Sequence, residues 1–293
     1  WRLVNEYPTL GNRVFHRRNK KKKKKSYNDF KKRVVYQLGK YKMEKFPELP
    51  DGCYNSISLN YVLPKSNFKD NLMPEVVIND DAIKYHRYAN HLNSSQMMCI
   101  NFFYPIRNDM ILVEILNRYL DLKLDDSASI IKSEFEYTPD GQTRTNFDFY
   151  LELSNGMKFY MEIKYTENGF GSVSFDSNYP DRYEREWSKF YSDQVKNSIH
   201  LKDISSEDFY KNYQINRNLA YIKNDLDYVV FIYPFDNTAL YDSNYQGKKL
   251  HQVEIKNFFQ IDWHELCDMT LEITKGTNFY RHYLEFKEKY LSY

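Results

Sequence analysis

Three short segments follow one another in which apolar and polar side chains alternate: SIIKSEFEY at 129–137, NFDFYLEL at 146–153 and KFYMEIKY at 158–165. Period-two alternation is the mark of a strand whose successive side chains point to opposite faces. The connections TPDGQTRT and SNGM contain Asp-Gly and Asn-Gly, pairs that favour tight hairpin turns. The sequence therefore predicts a three-stranded meander, and the rest of the chain has to be arranged around it.

Upstream, residues 81–122 change to a helical pattern. HLNSSQMMCINFFYP has Asn93 with Gln96 three residues on, which reads as a weak relative of the capping box, and Pro105 ends that element. In DMILVEILNRYLDL one face carries Leu112, Ile115, Leu116, Tyr119 and Leu120, and the other Glu114, Asn117, Arg118 and Asp121. Downstream comes a long polar segment, 166–204, containing the helix-like PDRYEREWSKFYSDQVK. SSEDFYKNYQINRNLAYIK then predicts a helix over 205–223 with Ser205 as N-cap, and DYVVFIYPF a buried strand. Residues 27–75 show no strong period. The domain reading is a basic segment at 1–26, an extension at 27–80 and a main domain at 81–293 with an insertion at about 166–204.

Strand parity then selects residues. In 158–165, Phe159, Met161, Ile163 and Tyr165 share one face and Tyr160, Glu162 and Lys164 the other; in 146–153, Phe147, Phe149, Leu151 and Leu153 lie opposite Asp148, Tyr150 and Glu152. An antiparallel hairpin around Asn155-Gly156 brings Asp148 near Glu162 and Lys164. Two carboxylates and a lysine suit phosphodiester hydrolysis with Mg²⁺, or Mn²⁺ in its place. Oxygen ligands hold the ion, which lowers the pKa of a bound water, and the lysine offsets charge developing on the phosphate. The backbone carbonyl of Ile163, between the two side chains, is a further oxygen ligand. The competing reading is a cross-strand ion pair on a wet sheet face.

Spacing alone does not decide between these. Asp242 with Glu254-Ile-Lys256, and Asp268 with Glu285-Phe-Lys287, satisfy the same bare pattern. Asp242, however, sits in the turn-rich YDSNYQGKK, and HYLEFKEKY reads as a solvated helix face. Only Asp148 and Glu162 lie on neighbouring strand-like segments.

These residues resemble the PD-(D/E)xK nuclease superfamily. HLNSSQMMCINFF, FEYTPDGQTRTNFDFYLEL, EIKYTENGFG and YQINRN are more specifically similar to a bacterial family of restriction endonucleases, over roughly residues 85–235. The resemblance implies an α/β (α+β mixed) restriction-endonuclease-like core, with a central mixed sheet of four or more strands flanked by helices. It implies Asp148, Glu162 and Lys164 as catalytic residues and Asp148 and Glu162 as metal ligands. The Pro that often precedes the superfamily's Asp is replaced, since 146–147 are Asn-Phe. Members often turn a Gln or Arg from the next helix toward the scissile phosphate, and here Gln214 and Arg217 of the polar stripe Gln214, Arg217, Asn218 and Tyr221 are the candidates. An acid on the first helix sometimes completes the metal site, which singles out Glu114, with Glu134 as a competitor beside Lys132 and Glu136. Ser94, Ser95 and Gln96 read as helix-capping or DNA-contacting residues. Arg182, Arg185 and Lys189 read as phosphate contacts or as intrahelical partners of Asp181, Glu184 and Glu186.

Charge adds a partner class. Residues 1–26 hold 10 Lys+Arg and one acid, including six consecutive lysines at 20–25, whereas the remainder holds 32 basic and 39 acidic residues. Such a run attracts polyanions without reading sequence, or is simply solvated. The longest apolar runs, such as YVVFIYPF, are far shorter than the roughly 20 residues of a membrane span. Three widely spaced cysteines fit a reducing compartment, and the expected location is the cytoplasm. Together the readings predict a Mg²⁺-dependent DNA endonuclease of restriction type, with a homodimer and a companion methyltransferase as its natural associates. The alternatives are a repair or recombination nuclease of the same fold, and a catalytically silent nucleic-acid-binding protein.

Overall fold

The computed structural model describes residues 26–78, 83–122, 124, 128–139, 145–171, 173, 179–241 and 256–293, and of residues 179–182 the backbone alone. Lys20–Lys25, Asp242, Glu254 and the side chain of Arg182 lie outside the described residues.

In chain order the helices are α1 (Tyr27–Lys45), α2 (Ser95–Phe103), α3 (Met110–Leu120), α4 (Tyr179–Glu186), α5 (Ser192–Lys196), α6 (Ser206–Lys211), α7 (Tyr213–Leu219), α8 (Thr238–Tyr241), α9 (Trp263–Thr274) and α10 (Tyr280–Leu291). A small hairpin joins β1 (Gly52–Tyr54) and β2 (Ile57–Leu59). The main sheet contains β3 (Ile130–Tyr137), β4 (Phe147–Leu153), β5 (Lys158–Ile163), β6 (Asp227–Tyr233) and β7 (Phe258–Asp262), in that spatial order.

β3, β4 and β5 pair antiparallel, as the alternating segments predict, while β5–β6 and β6–β7 are parallel. Parallel neighbours cannot be joined by a tight turn. The chain between β5 and β6 is accordingly the long helical excursion through α4 to α7. The fold is thus mixed α/β, a five-stranded mixed sheet flanked by helices. β7 adds a strand beyond the alternating segments, its five residues FFQID showing no clean alternation.

Each sheet face buries its own apolar layer. Phe149, Leu151, Leu153, Phe159, Met161, Ile163, Val230 and Ile232 meet residues of α1, α2, α3, α9 and α10. Phe103 of α2 stacks on Phe149 with centroids 4.6 Å apart. Phe30, Val34, Leu38 and Tyr41, on one face of α1, belong to the same layer. On the other face Tyr150, Tyr160, Val229, Phe231 and Tyr233 meet Phe209, Ile215, Leu219 and Tyr221. β6, between two strands and two helical layers, is buried at every position, which explains its unbroken apolar run. Phe147 departs from the expected parity. At the first position of β4 it joins the second layer, packing on Tyr160 and Tyr221.

The helix predicted over 205–223 is capped by Ser205, whose side chain accepts from the Asp208 amide, but it breaks at Asn212 (φ −125°, ψ 44°). The side-chain amide of Asn216 donates to the carbonyls of Asp208 and Phe209, satisfying groups that the break releases. Ser94 rather than Asn93 caps α2, and Asn93 is thereby free to reach Thr166, donating to its hydroxyl at 2.8 Å. The expected helix in the 166–204 insertion forms as α4 and α5 with a π-helical turn, Trp187–Tyr191, between them.

Candidate active site

The hairpin sets the register. Gly156 adopts φ +88°, a left-handed conformation that glycine takes without steric cost. Glu152 then pairs with Lys158 and Phe149 with Met161. Continued by one residue, that register sets Asp148 across from Glu162. The Asp148 carboxylate accepts the Ile163 amide at 2.6 Å, which ties the start of β4 to the end of β5.

Glu162 is buried, its side chain 5% exposed. A buried carboxylate is costly unless donors surround it. Three do so: Lys164 Nζ at 2.7 Å and Gln214 Nε2 at 2.5 Å meet Oε1, and Asn218 Nδ2 at 3.0 Å meets Oε2. Gln214 is itself oriented by the Gly171 amide, which donates to its Oε1 at 2.9 Å. α7 therefore delivers Gln214 and Asn218, spaced i, i+4, to one carboxylate. Arg217 points elsewhere, with its guanidinium over the Tyr213 ring at 5.3 Å.

Burial, then the charge of Glu162, push the Asp148 carboxyl well above the usual range, with Glu136 adding to the rise and Lys164 and the Ile163 amide opposing it. Burial would lower Lys164, but the charges of Glu162, Glu167 and Asp148 outweigh it and raise its pKa, so this side chain is an ammonium at neutral pH. It can donate and neutralise negative charge; it is not a base there.

The structure brings Glu136, and not its neighbour Glu134, to Asp148. Phe135 and Tyr137 pair with Phe149 and Phe147, so Glu136 on β3 lies opposite Asp148 on β4. It holds φ +53°, rare for a residue with a side chain, and its carboxylate accepts from Gln96 at 2.6 Å and from Asn146. Glu134 instead pairs with Lys132 at 3.3 Å. A row of carboxylates, Glu136, Asp148 and Glu162, thus crosses three strands. Only the positive φ separates Glu136 from other strand acids, and no local pattern announces it.

Other candidates fall outside this group. Glu114 sits half-exposed on α3, bonded to Arg118 at 2.7 Å, and no hydrogen bond or ion pair among the described residues joins it to Asp148 or Glu162. Ser94 caps a helix, and Gln96 is a buried bracket that joins Glu136, the Lys84 carbonyl and the His86 amide. Lys189 lies over Phe190 at 5.0 Å and shares an open concavity with Glu184, Arg185 and Ser188. Lys256 of the second Glu-Ile-Lys copy pairs with Asp225 at 2.7 Å, and Lys287 with Asp268 at 2.6 Å between exposed faces of α10 and α9.

The donors are hard oxygens. Among the described residues no group of three or more His, Cys, Asp or Glu side chains is placed to hold a metal ion. Two adjacent carboxylates fit Mg²⁺, which keeps several waters and is commonly bound through one or two carboxylates; they do not fit a structural zinc site. No helix among the described residues is long and apolar enough to cross a membrane.

Neither the curated proteins nor the solved structures include a significant match to the chain. The model of a family described as restriction endonuclease associating with ARP matches residues 16–291, and the chain belongs to that family.

Proposed function

We propose that the protein is a Mg²⁺-dependent DNA endonuclease of the PD-(D/E)xK type. The observation that carries this reading is the convergence of Asp148, Glu162 and Lys164 from two paired strands, with Lys164 held as a cation 2.7 Å from Glu162. Asp148, Glu162 and the Ile163 carbonyl would hold the ion. When bound, Mg²⁺ supplies Lewis acidity, activating a water and offsetting phosphate charge.

The chain's own groups do the rest. Asp148 and Glu162 present carboxyl oxygens at the strand ends, and the Ile163 amide fixes the Asp148 side chain. Lys164 places an ammonium where charge accumulates on the scissile phosphate, a contribution on the order of 10²–10³ in rate when such a donor is removed. Gln214 and Asn218 hold Glu162 so that its charge is not withdrawn by reorientation.

The test is incubation of the purified protein with supercoiled plasmid DNA and Mg²⁺, beside Lys164→Ala and an EDTA control. Nicking or linearisation by the intact protein alone is expected. Equal cutting by Lys164→Ala would remove this site from the mechanism, and no cutting of any nucleic acid would favour a binding protein.

A further inference from the structure

The reading above leaves residues 27–91 without a role. Two parts of that segment are fastened directly to the neighbourhood of the carboxylates. The Tyr27 hydroxyl, at the start of α1, donates to the carbonyl of Thr166 at 2.9 Å, two residues beyond Lys164, and Asn93 holds the Thr166 hydroxyl from the other side. The loop at 84–87 is fastened through Gln96. That amide donates to the Lys84 carbonyl at 2.9 Å and to Glu136 at 2.6 Å, and accepts the His86 amide at 2.8 Å.

Both parts turn basic side chains outward. Lys31 and Lys32 are exposed on α1, with Lys31 one turn from Tyr27 and over its ring at 6.0 Å. Lys84 and Arg87 are exposed on the loop, with Arg87 spread on Tyr88 at 4.5 Å. Among the described residues no carboxylate forms an ion pair with any of the four. α1 holds six basic residues against two acidic ones, and although Lys42 and Arg33 pair with Asp51 and Asp236, Lys31, Lys32, Lys40 and Lys45 stay exposed, in a chain whose residues 27–293 carry 32 basic and 39 acidic. Its positive charge is a local concentration and not the background.

We propose that α1 and the 84–87 loop form a basic rim that grips the phosphates of duplex DNA on either side of the Asp148–Glu162–Lys164 site. This rests on the endonuclease reading. At ~1.5 Å per residue the 19 residues of α1 span about 28 Å, long enough to follow several phosphates of one strand. Contacts of this kind position a duplex without reading its bases.

The test measures binding of the full chain to a short duplex DNA of arbitrary sequence by fluorescence anisotropy, over a KCl series in EDTA so that nothing is cut. Lys31→Glu/Lys32→Glu and Lys84→Glu/Arg87→Glu are compared with Lys202→Glu/Lys275→Glu. Lys202 lies two residues past His200, which meets the Lys256 carbonyl ahead of β7 at the opposite end of the sheet, and Lys275 ends α9. Each rim pair is expected to lose about tenfold or more in affinity and to flatten the log–log salt dependence by about two units, while the control pair stays within about twofold. Should a glutamate pair melt early, Lys31→Gln/Lys32→Gln repeats the measurement with a milder change.

Rim variants that bind as tightly as the parent, or a control pair that weakens as much as they do, overturn the rim. If the parent still cuts plasmid DNA, the endonuclease reading survives that result. A parent that neither binds nor cuts DNA rejects both.

Discussion

Asn218, fully buried on α7, donates its side-chain amide to Oε2 of Glu162 at 3.0 Å, while its own Oδ1 finds no hydrogen-bond partner among the described residues. The Glu162 carboxylate is thus the partner that orients this side-chain amide. Asn218→Ala should strip one donor from buried Glu162 and cost about 1–3 kcal/mol of stability, read by urea denaturation. Asn218→Asp, which sets a second carboxylate against Glu162, should cost more at neutral pH than at acidic pH. Equal losses for Asp and Ala at all pH values would place Asn218 outside the electrostatics of the site.

Gln214 bridges Gly171 and Glu162, so its loss frees both. Gln214→Ala should reduce plasmid cutting by about tenfold or more, a loss of at least ~1.4 kcal/mol in transition-state stabilisation. Arg217→Ala, which removes a guanidinium from the Tyr213 ring, should act on the melting temperature first. The comparison is made by initial cutting rates alongside thermal melts.

Asp262 and His264 give a pH dependence of stability with a defined sign. Burial alone would raise Asp262, but the His264 ring and the amides of Phe235 and His264 hold its carboxyl below the usual range. Burial alone would lower His264, but the hydrogen bond and charge of Asp262 raise it. The Asp262 contribution is present above the unfolded carboxylate pKa and disappears as pH falls through the folded one. The His264 contribution is present below about 6.5, the ordinary histidine value, and disappears as pH rises through its raised folded pKa. The stability difference between parent and Asp262→Asn, followed by denaturation across pH, should therefore be greatest in the mildly acidic window between them.

Lys289 is buried, with no carboxylate paired to it among the described residues. Its ammonium donates to the Asn71 carbonyl at 2.6 Å and to Asn71 Oδ1 at 2.9 Å, and burial pushes its pKa down to about 7. The unfolded chain then binds more protons than the folded one between about pH 7 and the ordinary lysine value near 10.4, so stability should rise with pH through that window. Lys289→Met should abolish the rise, at the cost of removing the donor to Asn71 Oδ1, while the Asn71 carbonyl keeps Asn101. A parent whose stability is flat from neutral to alkaline pH contradicts the assignment.

By itself the sequence determined the meander, its Asn155-Gly156 turn, and the face of β5 on which Glu162 stands. Alternation and Asn-Gly turn chemistry are local, and a hairpin converts them into register without help from the rest of the chain. α3 was legible for the same reason, its apolar stripe being Leu112, Ile115, Leu116 and Leu120, all buried. Tertiary structure decided what local pattern does not encode. Gln214 and Arg217 belong to one polar stripe, yet the break at Asn212 and the packing of α7 on the sheet send one to Glu162 and the other to Tyr213. Asn218 becomes a partner of Glu162 by the same placement. Glu136, rather than Glu134 or Glu114, joins the carboxylate row because β3 pairs with β4 in one register and the backbone turns left-handed at that residue. α1 reaches Thr166 across 139 residues of chain. Such contacts depend on which surfaces bury each other, and the free energy of that choice belongs to the whole packed layer and to no single stretch of sequence.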